Sequence, residues 1–215
     1  MSEPEFVLVS AEEKARAEQL ELPESLPVLP LKETVVLPGT MTPLAIGQPR
    51  SLELIEDVVA GDRLVALVMV RDDDFYEIGT GAYVHRLMRV SDGTVRVIAH
   101  GLQRIEVTRR VTEDPYLVGE VAILPDRGVD ANELAALSRT ARLLFERVVE
   151  IAPYLPPELR VAAETVGDPS TLCHLIASTV RLEPAQKQRL LETDDVAQRL
   201  HDVLLLLDHE LEFAV

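Results

Sequence analysis

Residues 26–47 read LPVLPLKETVVLPGTMTPLAIG, and this stretch decides how the chain folds. It holds two short apolar runs, 28–31 and 34–37, among prolines at 27, 30, 38 and 43. Proline has no backbone N–H and a fixed φ, so it suits strand starts, edges and bulges rather than central ladders. The pattern predicts short strands that bend sharply, as at the corner of a small barrel or pseudo-barrel. Pro38-Gly39 predicts a turn. Thr40, Met41 and Thr42 then read as a loop ahead of Pro43, with the flexible Met41 side chain at its tip.

Outward from this stretch, Pro49 suits a first helical turn, and Leu52, Ile55, Val58 and Val59 recur at helical spacing. A helix is predicted over 49–60, ended by Gly61. Residues 64–70 are almost continuously apolar, as in a strand buried on both faces. Asp72, Asp73 and Asp74 follow. Calcium loops alternate their ligands around a glycine turn and add a distal glutamate, so this run reads as a solvated loop.

Ser91-Asp92-Gly93-Thr94 predicts a hairpin between strands 82–90 and 94–100. A two-residue loop sets Val90 opposite Val95, Met88 opposite Val97, His85 opposite His100 and Arg89 opposite Arg96. The arginine pair is unfavourable. A one-residue bulge at Gly93 relieves it and separates the histidines. His85 and His100 are a candidate metal pair, but zinc needs at least a third protein ligand and none is visible. They read as two partly exposed sheet histidines, and no metal site is assigned. Strands over 102–111 and 116–124 complete a mostly antiparallel sheet domain with one helix, spanning 26–125.

Beyond Pro125 the period changes. Asp130 and Glu133 make a capping-box arrangement, and Leu134, Leu137, Leu144, Phe145, Val148 and Ile151 fall on one helical face. Pro156-Pro157 opens a second helix stopped by Gly167. Asp168-Pro169 starts a third, Glu183-Pro184 a short fourth, and Thr193 is placed to cap the last. In that last helix Val196, Leu200, Val203, Leu207 and Leu211 trace a seam still apolar where the sequence stops at Val215. It reads as a bundle helix or the start of a longer one. Residues 126–215 thus form an all-α subdomain ending in a long helix. Residues 1–25 carry seven glutamates against two basic residues and read as an acidic, mostly mobile arm.

Composition narrows the function classes. The chain has 215 residues, 47% hydrophobic and 27% charged, which is that of a soluble globular protein. A net charge of −16 opposes general nucleic-acid binding. It also favours basic over acidic polypeptide partners at long range. Only Lys14, Lys32 and Lys187 are lysines. The single cysteine, Cys173, excludes an internal disulfide and fits a cytoplasmic location. No apolar run reaches membrane-spanning length, so no membrane partner is expected.

Leu29-Pro30-Leu31, Val35-Val36-Leu37-Pro38, Pro43-Leu44 and Ile46-Gly47, with Ser51 beyond, resemble the opening signature of the N-terminal domain of Lon, the ATP-dependent protease family. Pro156-Pro157-Glu158, Asp168-Pro169, Leu175-Ile176-Ala177 and Asp195-Val196 continue the likeness, which covers about 26–215. The resemblance implies an α+β fold, a PUA-like β pseudo-barrel followed by a helical bundle. It also implies a domain that captures unfolded, misfolded or degron-bearing polypeptides and delivers them to downstream ATPase and protease domains in a homo-oligomer, the fragment alone being monomeric or weakly associating.

The chemistry of that protease is not expected here. There is no Gly-x-x-x-x-Gly-Lys-Ser/Thr phosphate loop, and Lys187 has only Ser170 and Ser178 as nearby serines, on the preceding helix. Cys173 and His174 are helix neighbours whose side chains diverge, a half-buried thiol beside a surface histidine. No catalytic residue and no cofactor are assigned. Selecting unfolded chains requires exposed apolar surface, and Val36, Leu37, Pro38, Met41 and Pro43 are the candidate binding residues, with Pro38, Met41 and Pro43 expected on a loop. The competing expectations are an assembly module working through the terminal seam, and a free-standing ligand-binding domain working through the histidine pair.

Overall fold

Alternating burial builds the N-terminal half. The computed structural model describes residues 9–128 and 130–213; the first eight residues of the expected arm and the Val215 end of the seam lie outside them. Seven strands, β1 (Ser25–Leu31), β2 (Met41–Ile46), β3 (Leu64–Arg71), β4 (Asp74–Phe75), β5 (Ile78–Arg89), β6 (Val95–Thr112) and β7 (Val118–Ile123), form one sheet among the described residues. The order β1-β7-β6-β5-β3-β4 is closed by parallel pairing of β1 with β3, so five strands make a barrel. The other pairings are antiparallel. β2 stands outside this ring, paired with the first half of β6.

Successive side chains of a strand point to opposite faces. In β3, Val65 and Leu67 pack with Leu54, Ile55 and Val58 of helix α2 (Pro49–Ala60). Leu64, Ala66 and Val68 pack with Leu26, Val28, Ile105 and Val107 on the other side. Both faces are buried, as the unbroken apolar run predicts, and each buried aliphatic side chain contributes about 1.5–3 kcal/mol before chain entropy is subtracted.

The second half is helical: α3 (Ala131–Ile151), α4 (Glu158–Thr165), α5 (Pro169–Thr179), α6 (Pro184–Glu192) and α7 (Val196–Phe213). Asp130 and Asp168 cap α3 and α5 by accepting backbone N–H bonds. Thr193 does not cap α7. Its hydroxyl donates to the Arg189 carbonyl, and Asp195 instead accepts the Gln198 N–H at 3.0 Å. Phe145 and Val148 of α3, Leu172 and Ile176 of α5, and Leu200, Val203 and Leu207 of α7 form the bundle core. Ile151 is exposed, because the buried stripe of α3 runs through Ser138, Ala141, Phe145, Val148 and Val149.

Four further expectations are corrected. Residues 34–37 form no strand; this short stretch divides its side chains between two cores. Val36 enters the barrel cluster and Leu37 the helical one. Their carbonyls accept side-chain bonds instead, from the hydroxyls of Thr80 and Thr40, both at 2.6 Å. Met41 and Pro43 lie on β2 rather than on a loop. Within the expected mobile arm, Ala11–Glu18 form helix α1, started by a capping box of Ser10 and Glu13. It docks on the barrel through buried Ala17 and a 2.8 Å Arg86–Glu13 ion pair.

The hairpin is the fourth. Its loop is longer than two residues: Val90 N–H donates to the Thr94 carbonyl, and Gly93 takes φ 85°. Arg89 therefore faces Val95, and Arg96 faces Met88, which removes the arginine clash. The register then shifts between Val84 and Arg86, with His85 in the irregularity. That second shift undoes the separation of the histidines. Their rings stack with Nε2 of His85 3.1 Å from Nδ1 of His100, and both are buried at 5% and 2% exposure, not partly exposed.

Buried polar contacts lock the two halves together. Asp126 sits between Arg199 Nη2 at 2.8 Å and Arg104 Nη1 at 3.1 Å. Arg104 Nε also donates to the Leu191 carbonyl at 2.7 Å. Gln188 Nε2 donates to the Ile78 carbonyl at 3.0 Å. A short backbone bridge joins Arg127 to Asp194 and Val196.

Candidate functional site

Where the halves meet, the 32–40 connection and the first half of β2 leave a cleft of about 600 Å³. Leu37, Met41 and Pro43 line one wall. Leu175 of α5, Leu182 and Pro184 line the other, and Lys14 and Lys187 stand at its edge. Leu37 is 1% exposed and forms floor, whereas Met41 is half-buried and Pro43 exposed.

The local backbone explains the shape. Thr40 N–H donates to the Leu37 carbonyl, and Gly39 at the third position of this turn has φ 72°, as a type II turn requires. The turn is tied to β6 by Gly39 N–H donating to the Gly101 carbonyl and Gly101 N–H to the Thr40 carbonyl. Gly101 is needed for that close approach, since a Cβ there would lie 2.3 Å from the Leu37 carbonyl oxygen. β2 pairs only with β6 among the described residues, so its other edge is open, and Pro43 is compatible with such an edge.

Of the five residues singled out in the sequence, the fold brings Leu37, Met41 and Pro43 to this cleft. Val36 and Pro38 are buried and do not line it. The opposite wall escapes a reading of the 26–47 stretch alone. Leu175, Leu182 and Lys187 lie more than a hundred residues away, and no local pattern joins them to it.

The other candidate groups are placed as follows. Among the described residues no set of three or more His, Cys, Asp or Glu side chains is placed to hold a metal ion. Cys173 and His174 are both buried, at 1% and 3%, which corrects the expected surface histidine. Burial pushes the Cys173 thiol up to about 12, so no thiolate nucleophile exists near neutral pH. Ser178 lines the cleft with Lys187, but its hydroxyl donates to the Leu175 carbonyl of its own helix at 2.8 Å.

Residues 25–209 match the profile of the ATP-dependent protease La (LON) substrate-binding domain. The chain belongs to this Lon family. The Lon protease of Dictyoglomus thermophilum is 36% identical over 208 residues, covering 94% of this chain and 26% of that protein. Lon protease 1 of Herpetosiphon aurantiacus is 33% identical over 202 residues, covering 88% and 25%. The chain thus spans about a quarter of the length of these curated relatives. The N-terminal domain of Mycobacterium avium complex Lon protease superposes with a TM-score of 0.76 at 24% identity, covering 86% of this chain and 98% of that one. A Lon N-terminal domain protein from Xanthomonas campestris gives 0.61 at 23% identity. Both show the fold alone, an α+β Lon N-terminal domain. In this Lon domain the cleft lies at the junction between barrel and bundle, and no helix among the described residues is long and apolar enough to cross a membrane.

Proposed function

We propose that the cleft docks extended apolar segments of unfolded or degron-bearing polypeptides, which the ATPase and protease domains of a Lon-type enzyme then process. The observation that carries this is the open edge of β2 beside an apolar concavity, in a chain of the Lon substrate-binding family. An extended client adds backbone hydrogen bonds at a strand edge and seats alternate side chains in the cleft. Met41 adapts to varied side chains because it is unbranched and polarizable. The chain itself acts by holding, with no catalytic residue or cofactor, in the cytoplasm and within a homo-oligomer.

Met41→Asp tests this. It places a carboxylate on the apolar wall and is expected to weaken binding of fluorescein-labelled, reduced and alkylated lysozyme by about tenfold or more, read by anisotropy. Met41 is half-buried, so far-UV circular dichroism stays unchanged. Undiminished affinity would remove the cleft from the mechanism.

A second role in assembly is favoured by Leu143 and Leu205, which are 58% and 70% exposed on α3 and α7. Light scattering decides it. Self-association that Leu205→Glu abolishes supports the role, and a monomer at tens of micromolar rules out assembly through this face.

A further inference from the structure

Two of the chain's three lysines stand at this one cleft, in a molecule whose net charge is −16. Lys187 is half-buried on the first turns of α6, and among the described residues neither it nor Lys14 forms an ion pair, while eight arginines do. Burial pulls the Lys187 ammonium below the usual lysine value, and no carboxylate among the described residues offsets it. The one acidic side chain in the lining, Glu33, is exposed and makes no ion pair among the described residues. The remaining polar lining consists of hydroxyls: those of Thr34, Thr40, Ser178 and Thr179 donate to backbone carbonyls of their own segments, and Thr42 completes the set.

We infer that the cleft selects clients presenting a carboxylate next to an apolar segment, with Lys187 as the group that receives it. This rests on the docking role proposed above and adds a specificity determinant to it. An ammonium already stripped of part of its hydration gains more from a carboxylate than a fully solvated one does. The preference runs against the field of the whole molecule, which attracts basic polypeptides at long range. The overall charge governs encounter, and Lys187 governs which end or side chain of the client settles in the cleft. The carboxylate comes either from a chain terminus or from an Asp or Glu side chain.

Three short fluorescein-labelled apolar peptides distinguish these cases. One ends in a free carboxylate, one is amidated, and one is amidated but carries an internal glutamate. Tighter binding of either carboxylated peptide over the amidated one, by about tenfold at low salt, is expected. The first alone identifies a terminus, and the third alone a side chain. Lys187→Ala and Lys187→Gln are expected to abolish the difference between the carboxylated and amidated peptides. Equal binding of all three peptides, or a preference that survives in both variants, overturns the inference and leaves the docking role standing. Binding of none overturns both.

Discussion

Replacing Asp126 with alanine is expected to lower the unfolding free energy by about 3–5 kcal/mol, the cost of leaving buried charge uncompensated. The carboxylate side chain is 32% exposed, but its partners are not: Arg104 and Arg199 have 3% and 0% side-chain exposure. Burial pushes the Asp126 carboxyl up, yet hydrogen bonds from Arg199 and Ser170 and the two guanidinium charges overcome this and hold it below the usual range. Burial, then the charge of Arg199, pulls Arg104 below the ordinary arginine value, and Asp126 opposes both. Without it two desolvated guanidiniums face each other across the junction. A small domain has about 5–15 kcal/mol to lose, so the urea midpoint drops by about a fifth of its value or more. Asp126→Asn keeps an acceptor but not the charge and falls between. A loss below about 1 kcal/mol for the alanine variant would mean that backbone carbonyls alone satisfy the arginines. Because the cleft lies at this junction, client binding is expected to weaken in the same order.

Acid is expected to destabilise the chain steeply before its carboxylates titrate. An unfolded histidine titrates near 6.5. In the folded chain burial, helped by the nearby Arg199 charge, pulls His174 down to about 3. Burial, then the neighbouring His100, pulls His85 down to about 4, and burial lowers His100 as well. Below pH 6.5 the unfolded chain therefore takes up protons that the folded chain refuses. No penalty exists above pH 7; it grows as pH falls from 6.5 towards 4 for His85 and 3 for His174. Between pH 7 and 5, His85 and His174 together cost about 4 kcal/mol, and His100 adds in the same direction. Urea denaturation at the two pH values measures this. The Nε2 atom of His174 is buried without a hydrogen-bond partner among the described residues, so His174→Leu is expected to remove about 2 kcal/mol of the pH loss without lowering stability at pH 7. Equal urea midpoints at pH 7 and 5 would show that the histidines are hydrated in the folded state.

Much of the architecture is legible residue by residue. The helix over 49–60, the strand buried on both faces at 64–70, the Asp92-Gly93 hairpin and the caps at Asp130 and Asp168 all rest on period, proline and turn chemistry within a few residues. The candidate site is half legible. The proline-spaced run marks Leu37, Met41 and Pro43, but nothing in it distinguishes Val36, which turns into the barrel, from Leu37, which turns into the bundle. Val35-Val36-Leu37 reads as a strand because apolar residues in succession are the same signal whether they feed one core or two.

By itself, then, the sequence determined most of the elements, in a proline-bent sheet half and a capped helical half, and its resemblance to the Lon N-terminal domain carried the family. The elements follow from interactions along a few residues of chain, which a linear pattern records. Only the tertiary structure decided the rest. It set the stacked His85 and His100 through a register shift midway along β5, and it placed Asp126 between the buried Arg104 and Arg199. It also brought Met41 and Lys187 into one cleft beside an open strand edge. Each of these joins residues far apart in sequence, and their energies depend on burial and distance, which only the folded packing supplies.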